Sequence, residues 1–168
     1  MGHWARIDNN NIVQEVIVIT EEVLDANPDT YGDKSQWVKT SYNTKEGKHY
    51  VPNGIDQDFQ TESPDQSKAL RFRYAGVGMY YDSINDVFYN TRPLDRHGNP
   101  CSSWTLNTST WIWEAPITRP TESMAQEAAR FFYVWDETVY QSDNTKGWVI
   151  RDASGNIVVD DNQDGVAD

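Results

Sequence analysis

The 168-residue chain carries a formal net charge of −12. A surface this acidic argues against binding nucleic acid, which needs clustered Lys and Arg, and against docking on anionic lipid, so no nucleic-acid or membrane partner is expected. A single cysteine, Cys101, leaves no intramolecular disulfide framework, and the length is that of one domain, residues 1–168, able to bury a core without covalent staples.

Seven Trp and nine Tyr in a chain that is 12% aromatic point to a core built from large flat side chains rather than from Leu-rich helices. The N-terminus, "MGHWARIDNN", has no apolar signal core, Arg6 stands where a myristoylation motif needs Ser or Thr, and no apolar run approaches membrane-spanning length.

In chain order, "HWARI" leads through "DNNN" into "IVQEVIVI", β-branched residues on either side of an Asp/Asn turn, which predicts a hairpin. "TEEVLDANP" predicts a short helix with Thr20 as N-cap, Glu21 and Glu22 in its first turn and Pro28 as its stop. From Lys45 to Lys68 the composition is that of a long loop, of the kind that is functional or is ordered by a partner. "AGVG", Ala75–Gly78, is too short to cradle phosphate and reads as a sharp turn into the strand that follows.

"GMYYDSINDVFYN" and "SWTLNTSTWIWEA" read as two further hairpins. In the second, a turn at Asn107–Thr110 would pair Trp104 with Trp113 and Leu106 with Trp111, placing all four on one face, with Thr105 and Ile112 on the other. "RPTESMAQEAARFF" predicts an amphipathic helix near residues 121–131, its stripe formed by Met124, Ala128 and Phe131. "FYVWDETVYQ" and "GWVIRDASGNIVVDD" read as the last strands, with residues 147–168 a C-terminal hairpin extension. The expected fold is mainly β with minor α: a meander of aromatic-rich antiparallel hairpins carrying one or two short helices. Spacing between the hairpins varies, which argues against a solenoid or propeller.

No catalytic constellation emerges. His3, His49 and His97 have no metal-ligand spacing, and neither a GxSxG elbow nor a P-loop occurs, so the chain is not expected to be an enzyme. Cys101 between Pro100 and Ser102 reads as an inert small residue. The ending "DDNQDGVAD" places Asp160, Asn162, Asp164, the Val166 carbonyl and Asp168 at positions 1, 3, 5, 7 and 9 of a calcium loop, with Gly165 at its turn and no position-12 carboxylate. The two readings are a weak calcium site and a solvated acidic tail; no other cofactor is expected. Trp104, Trp111, Trp113, Tyr50 and Phe59 are the candidate contact residues, because aromatics concentrate binding energy at interfaces.

Four blocks in fixed order resemble a family of small accessory proteins of marine, cyanophage-like tailed bacteriophages: Tyr-Ala-Gly-x-Gly at Tyr74–Gly78, Tyr-Asp-x-x-x-Asp-x-Phe at Tyr81–Phe88, Ser-Trp-x-Leu-Asn at Ser103–Asn107, and Trp-x-Ala/Glu-Pro at Trp113–Pro116. The loop at 45–68 and the C-terminal extension depart from that pattern. The resemblance implies a structural protein of the virion, with other virion proteins (the major capsid protein or tail proteins) as partners and self-association on the particle compatible with that role. Capsid decoration is the first expectation. The alternatives are a tail- or neck-associated protein, attaching fibres or binding host glycans, and a tail-fibre assembly chaperone.

Overall fold

The computed structural model describes residues 1–51 and 61–158. These residues form twelve strands in antiparallel hairpin sheets and four short helices, a mainly β fold. The chain divides into two compact units, residues 1–91 and 92–168.

The first unit is built on a three-stranded sheet, β1 (Gly2–Ile7), β2 (Val13–Ile19) and β3 (Trp37–Thr40), in the order β2-β1-β3. Alternation along β1 sends Trp4 and Ala5 to opposite faces, and each face has its own cover. Ala5 and Val38 pack with Val13, Ala75, Tyr81 and Phe88 on one side. Trp4 and Trp37 pack with Leu24 on the other.

Leu24 comes from α1 (Glu21–Ala26), which is capped as expected: the Thr20 hydroxyl accepts the Val23 N–H. Pro28 does not stop the chain in extended form but opens a second helical turn, α2 (Pro28–Tyr31), at a position where its missing N–H costs nothing. Tyr81 and Phe88 face each other across the hairpin of β6 (Met79–Asp82) and β7 (Val87–Asn90), with ring centroids 4.9 Å apart. Gly78, at φ 84°, makes the turn into β6 that "AGVG" predicts.

Between these lie β4 (Thr44–Lys45) and β5 (Lys48–His49). The excursion read as a loop over 45–68 is closed at its base. Val51 N–H donates to Thr61 C=O (2.9 Å) and Ser63 N–H to His49 C=O (2.8 Å). The Gln66 amide both accepts the His49 N–H (2.8 Å) and donates to the His49 carbonyl (3.0 Å), acting as a substitute strand.

The second unit holds the hairpin β8 (Thr105–Asn107) and β9 (Ile112–Glu114), then α3 (Met124–Ala128), β10 (Phe132–Trp135), α4 (Glu137–Ser142), β11 (Trp148–Arg151) and β12 (Ile157–Val158), the last three strands ordered β10-β11-β12. Two expectations are corrected here. The helix near 121–131 is a five-residue helix closed by a capping box between Ser123 and Gln126; Met124 and Ala128 are exposed, and the buried side chain is the capping Gln126. "WDETVYQ" is not strand beyond Trp135, because Asp136 caps α4 by accepting the Val139 N–H (3.1 Å).

Asp and Asn side chains fix the turns, in two recurring forms. In the three-residue form the Asp8 N–H donates to Ile12 C=O (3.0 Å), its carbonyl accepts the Asn11 N–H (2.9 Å), and Oδ1 accepts the N–H groups of Asn10 (2.8 Å) and Ile12 (2.9 Å). Asp95 makes the same four bonds with Asn99, Gly98 and His97, and Asp152 with Asn156, Gly155 and Ser154. The residue before the last is left-handed each time: Asn11 at φ 60°, Gly98 at 82° and Gly155 at 88°.

In the four-residue form, Oδ1 of Asp82 accepts the Ile84 and Asn85 N–H groups and Oδ1 of Asn107 accepts those of Ser109 and Thr110. The last loop residues, Asp86 and Trp111, have φ 56° and 53°. The carboxylates of Asp8, Asp82, Asp95 and Asp152 are therefore structural, since they replace backbone partners at turns.

Candidate functional site: a tryptophan cleft in the second unit

Trp135 and Trp148 are opposite residues of the β10–β11 ladder, with ring centroids 5.2 Å apart. Trp104, from the segment before β8, completes a triangle at 5.8 Å from Trp135 and 5.9 Å from Trp148. Tyr140 on α4 packs against Trp135 at 5.3 Å. These separations are those of favourable edge-to-face and tilted aromatic pairs.

The segment that carries Trp104, "CSSW", is held from both sides. Nη1 of Arg92 donates to the carbonyls of Cys101 (2.9 Å), Ser102 (3.1 Å) and Trp104 (2.6 Å). The same guanidinium lies over the Trp113 ring, 4.3 Å from its centroid. From the other side Glu137 accepts five bonds: from the Ser102 hydroxyl (2.7 Å), the Ser103 N–H (2.9 Å) and hydroxyl (2.8 Å), Trp135 Nε1 (2.9 Å) and Gln141 Nε2 (2.9 Å).

Burial raises the Glu137 carboxyl, but the donors of Trp135, Gln141, Ser102 and Ser103 outweigh it and hold it at about 2. Such a group is locked in its charged form as a structural anchor and is a poor general acid. Burial, with the Glu137 and Asp95 charges behind it, pushes the Cys101 thiol up to about 11, which makes it an unreactive core residue as its sequence setting implies.

Above this base is a cleft of about 360 Å³ lined by Pro93, Leu94, Asp95, Arg96, Trp104, Val134, Trp135, Trp148, Arg151 and Gly155. Its charged groups differ in availability. The Asp95 carboxylate takes N–H groups from His97, Asn99 and Glu137, and burial, which opposes them, does not prevent a lowered pKa. Arg96 is paired with Asp136 at 2.7 Å. Arg151 is exposed and has no side-chain partner among the described residues. Two of the three indole N–H groups are used, Trp135 on Glu137 and Trp148 on the Ile117 carbonyl (2.9 Å); the third, Trp104 Nε1, is shut from solvent and unpaired.

No family model, curated protein or solved structure matches this sequence.

The predicted contact residues are not brought together as one surface. The hairpin register pairs Leu106 with Trp113 and Asn107 with Ile112, not Trp104 with Trp113. The turn consumes Trp111 as its left-handed residue, so the expected four-residue indole face does not form. Trp111 is buried at 9% exposure, Trp113 is half-buried under Arg92, and Trp104 is half-buried and lines the cleft. Tyr50 is half-buried and bridges to Glu62 at the closed base of the excursion. Phe59 and the calcium-loop residues Asp160, Asn162, Asp164, Val166 and Asp168 lie outside the described residues. Trp135, Trp148, Arg92 and Glu137, which build the site, went unmarked in the sequence; the dipeptide Asp136-Glu137 directly after an aromatic strand was the available signal, since a buried strand ending on two acids needs donors nearby.

Proposed function

We propose that the chain is a non-catalytic accessory structural protein of a tailed-phage particle, docking on the assembled particle as a capsid decoration protein. The resemblance of its ordered motif blocks to virion accessory proteins motivates this reading. The observation that supports it is Ile84, 93% exposed at the tip of the β6–β7 hairpin. The turn beneath it is pinned by Asp82, which accepts the Ile84 N–H itself (2.9 Å) and the Asn85 N–H (3.0 Å). An apolar side chain displayed on a pre-ordered turn loses little conformational freedom when a partner covers it, and full burial of such a side chain is worth about 2 kcal/mol.

Mass spectrometry of purified particles tests the reading. Hundreds of copies per particle are expected for a shell protein; roughly six or twelve, the count of a tail ring, would move it to the tail, and none would leave an assembly chaperone. Ile84→Asp should lower occupancy on the particle while leaving the free protein folded.

A further inference from the structure

We propose that the segment 117–123 is a strap latched over the outer edge of β10 by Arg119 and Glu122, and that this latch keeps the second unit from pairing edge to edge with a second copy of the chain. In an antiparallel ladder alternate residues turn their N–H and C=O groups away from the neighbouring strand. The order β10-β11-β12 leaves β10 at the sheet edge, with Tyr133 and Trp135 as its outward residues. Tyr133 N–H donates to Oε1 of Glu122 (3.0 Å), and its carbonyl accepts from Nη2 of Arg119 (3.4 Å). The Trp135 carbonyl takes the Arg96 N–H (3.0 Å), and just ahead of the strand the Phe131 N–H donates to the Gln126 carbonyl (2.8 Å).

The two charged side chains hold each other in place: Nη1 of Arg119 donates to Oε2 of Glu122 (3.0 Å) and Nη2 to Oε1. At the other end of the strap the Ile117 carbonyl accepts the Trp148 indole N–H (2.9 Å), and the Arg119 guanidinium lies 5.8 Å from the Trp148 ring centroid. The strap cannot serve as a full strand itself, because Pro120 has no N–H. The latch does for Tyr133 what a neighbouring strand would do, as the Gln66 amide does for His49 in the first unit.

The covered edge is suited to pairing. "FYVW" is aromatic and β-branched and carries no charge, so the acidity of the chain is not concentrated at the contact. Two copies related by a two-fold axis at Tyr133 would exchange N–H···O=C bonds between their Tyr133 residues. The same register sets Phe132, 42% exposed, opposite Val134 of the other copy. Uncovered edges of this kind are what draws sheets together, and covering them with a loop is a common protection.

Sedimentation of the full chain tests the latch. The wild type should remain a single chain up to about 1 mM, whereas the double variant Arg119→Ala/Glu122→Ala should move toward twice the mass, half-paired at roughly 100 µM, the range of weak contacts. Hydrogen exchange locates the contact. The Tyr133 amide should exchange about tenfold faster in the dilute variant than in the wild type, and regain protection as the concentration rises. Gly147→Ala, which crowds the Trp135 ring and leaves the latch intact, should lose stability without pairing. If the double variant does not fold, Glu122→Ala alone, which removes one bond to the edge, carries the same test. A folded variant that stays single over this range overturns the proposal. Pairing of the wild type or of Gly147→Ala to the same extent overturns it too, as does association that leaves the Tyr133 amide unprotected.

Discussion

Gly147 lies against the ring of Trp135 so closely that a Cβ at 147 would stand 2.5 Å from Cη2 and 2.6 Å from Cζ3 of the indole. The indole has nowhere to retreat: it is 4% exposed, faces Trp148 and Tyr140, and is tied through Nε1 to Glu137. Gly147→Ala should therefore destabilise the second unit by about 2 kcal/mol, the cost of overpacking a filled core, measurable as a lower urea midpoint with the slope unchanged.

Glu137 makes the stability of the second unit pH-dependent. Its folded carboxyl titrates at about 2, below the ordinary 4.5. Its contribution is thus complete above the unfolded value and is lost as the pH falls from there through the folded one. Glu137→Gln puts an amide NH2 among donors and should cost about 2–3 kcal/mol at neutral pH. Unfolding free energies measured at a series of pH values should show the gap between wild type and variant closing as the medium becomes acid.

The two four-residue turns predict an asymmetry between substitutions. Asp82 and Asn107 perform the same capping with the same side-chain oxygen. Asp82→Asn should be nearly neutral, because the exposed Asn85 amide, whose Nδ2 donates to Oδ2 of Asp82, can turn its oxygen toward the new NH2, whereas Asp82→Ala leaves two N–H groups uncapped and should cost about 1 kcal/mol. By the same reasoning Gly155→Asn should be tolerated, because Asn11 holds the equivalent left-handed position in its own turn. Thermal melts of the three variants check both statements.

Arg92→Lys should not behave as a conservative change. The arginine reaches three carbonyls and covers Trp113 with a flat guanidinium. A lysine offers a compact charge that cannot do both. A loss of about 1–2 kcal/mol is expected, together with broadening of the Trp113 indole resonance as the ring loses its cover.

What could be read from the order of residues was local. Asp8 before a run of Asn, Thr20 before two Glu, and β-branched runs flanking polar clusters announced the first hairpin, the first helix and the mainly β class, because turn capping, N-capping and strand alternation act over a few neighbouring residues. The hairpin of Trp104 to Trp113 shows where that reading stops. A turn at Asn107–Thr110 and a turn one residue later, which takes in Trp111 and leaves Asn107 in the strand, satisfy nearly the same composition, yet they differ by the register that sends each indole to a face. The fold uses a turn of the same length moved one residue along, 108–111, in which Asn107 caps two N–H groups, Trp111 takes a left-handed backbone and its ring is buried.

The cleft lay further out of reach. Trp104, Trp135 and Trp148 are separated by long stretches of chain, and only the pairing of β10 with β11, with "CSSW" clamped between Arg92 and Glu137, brings them within 6 Å. Spacing along the chain carries local hydrogen-bonding preferences; which distant aromatic meets which is decided by the packing of the folded sheet.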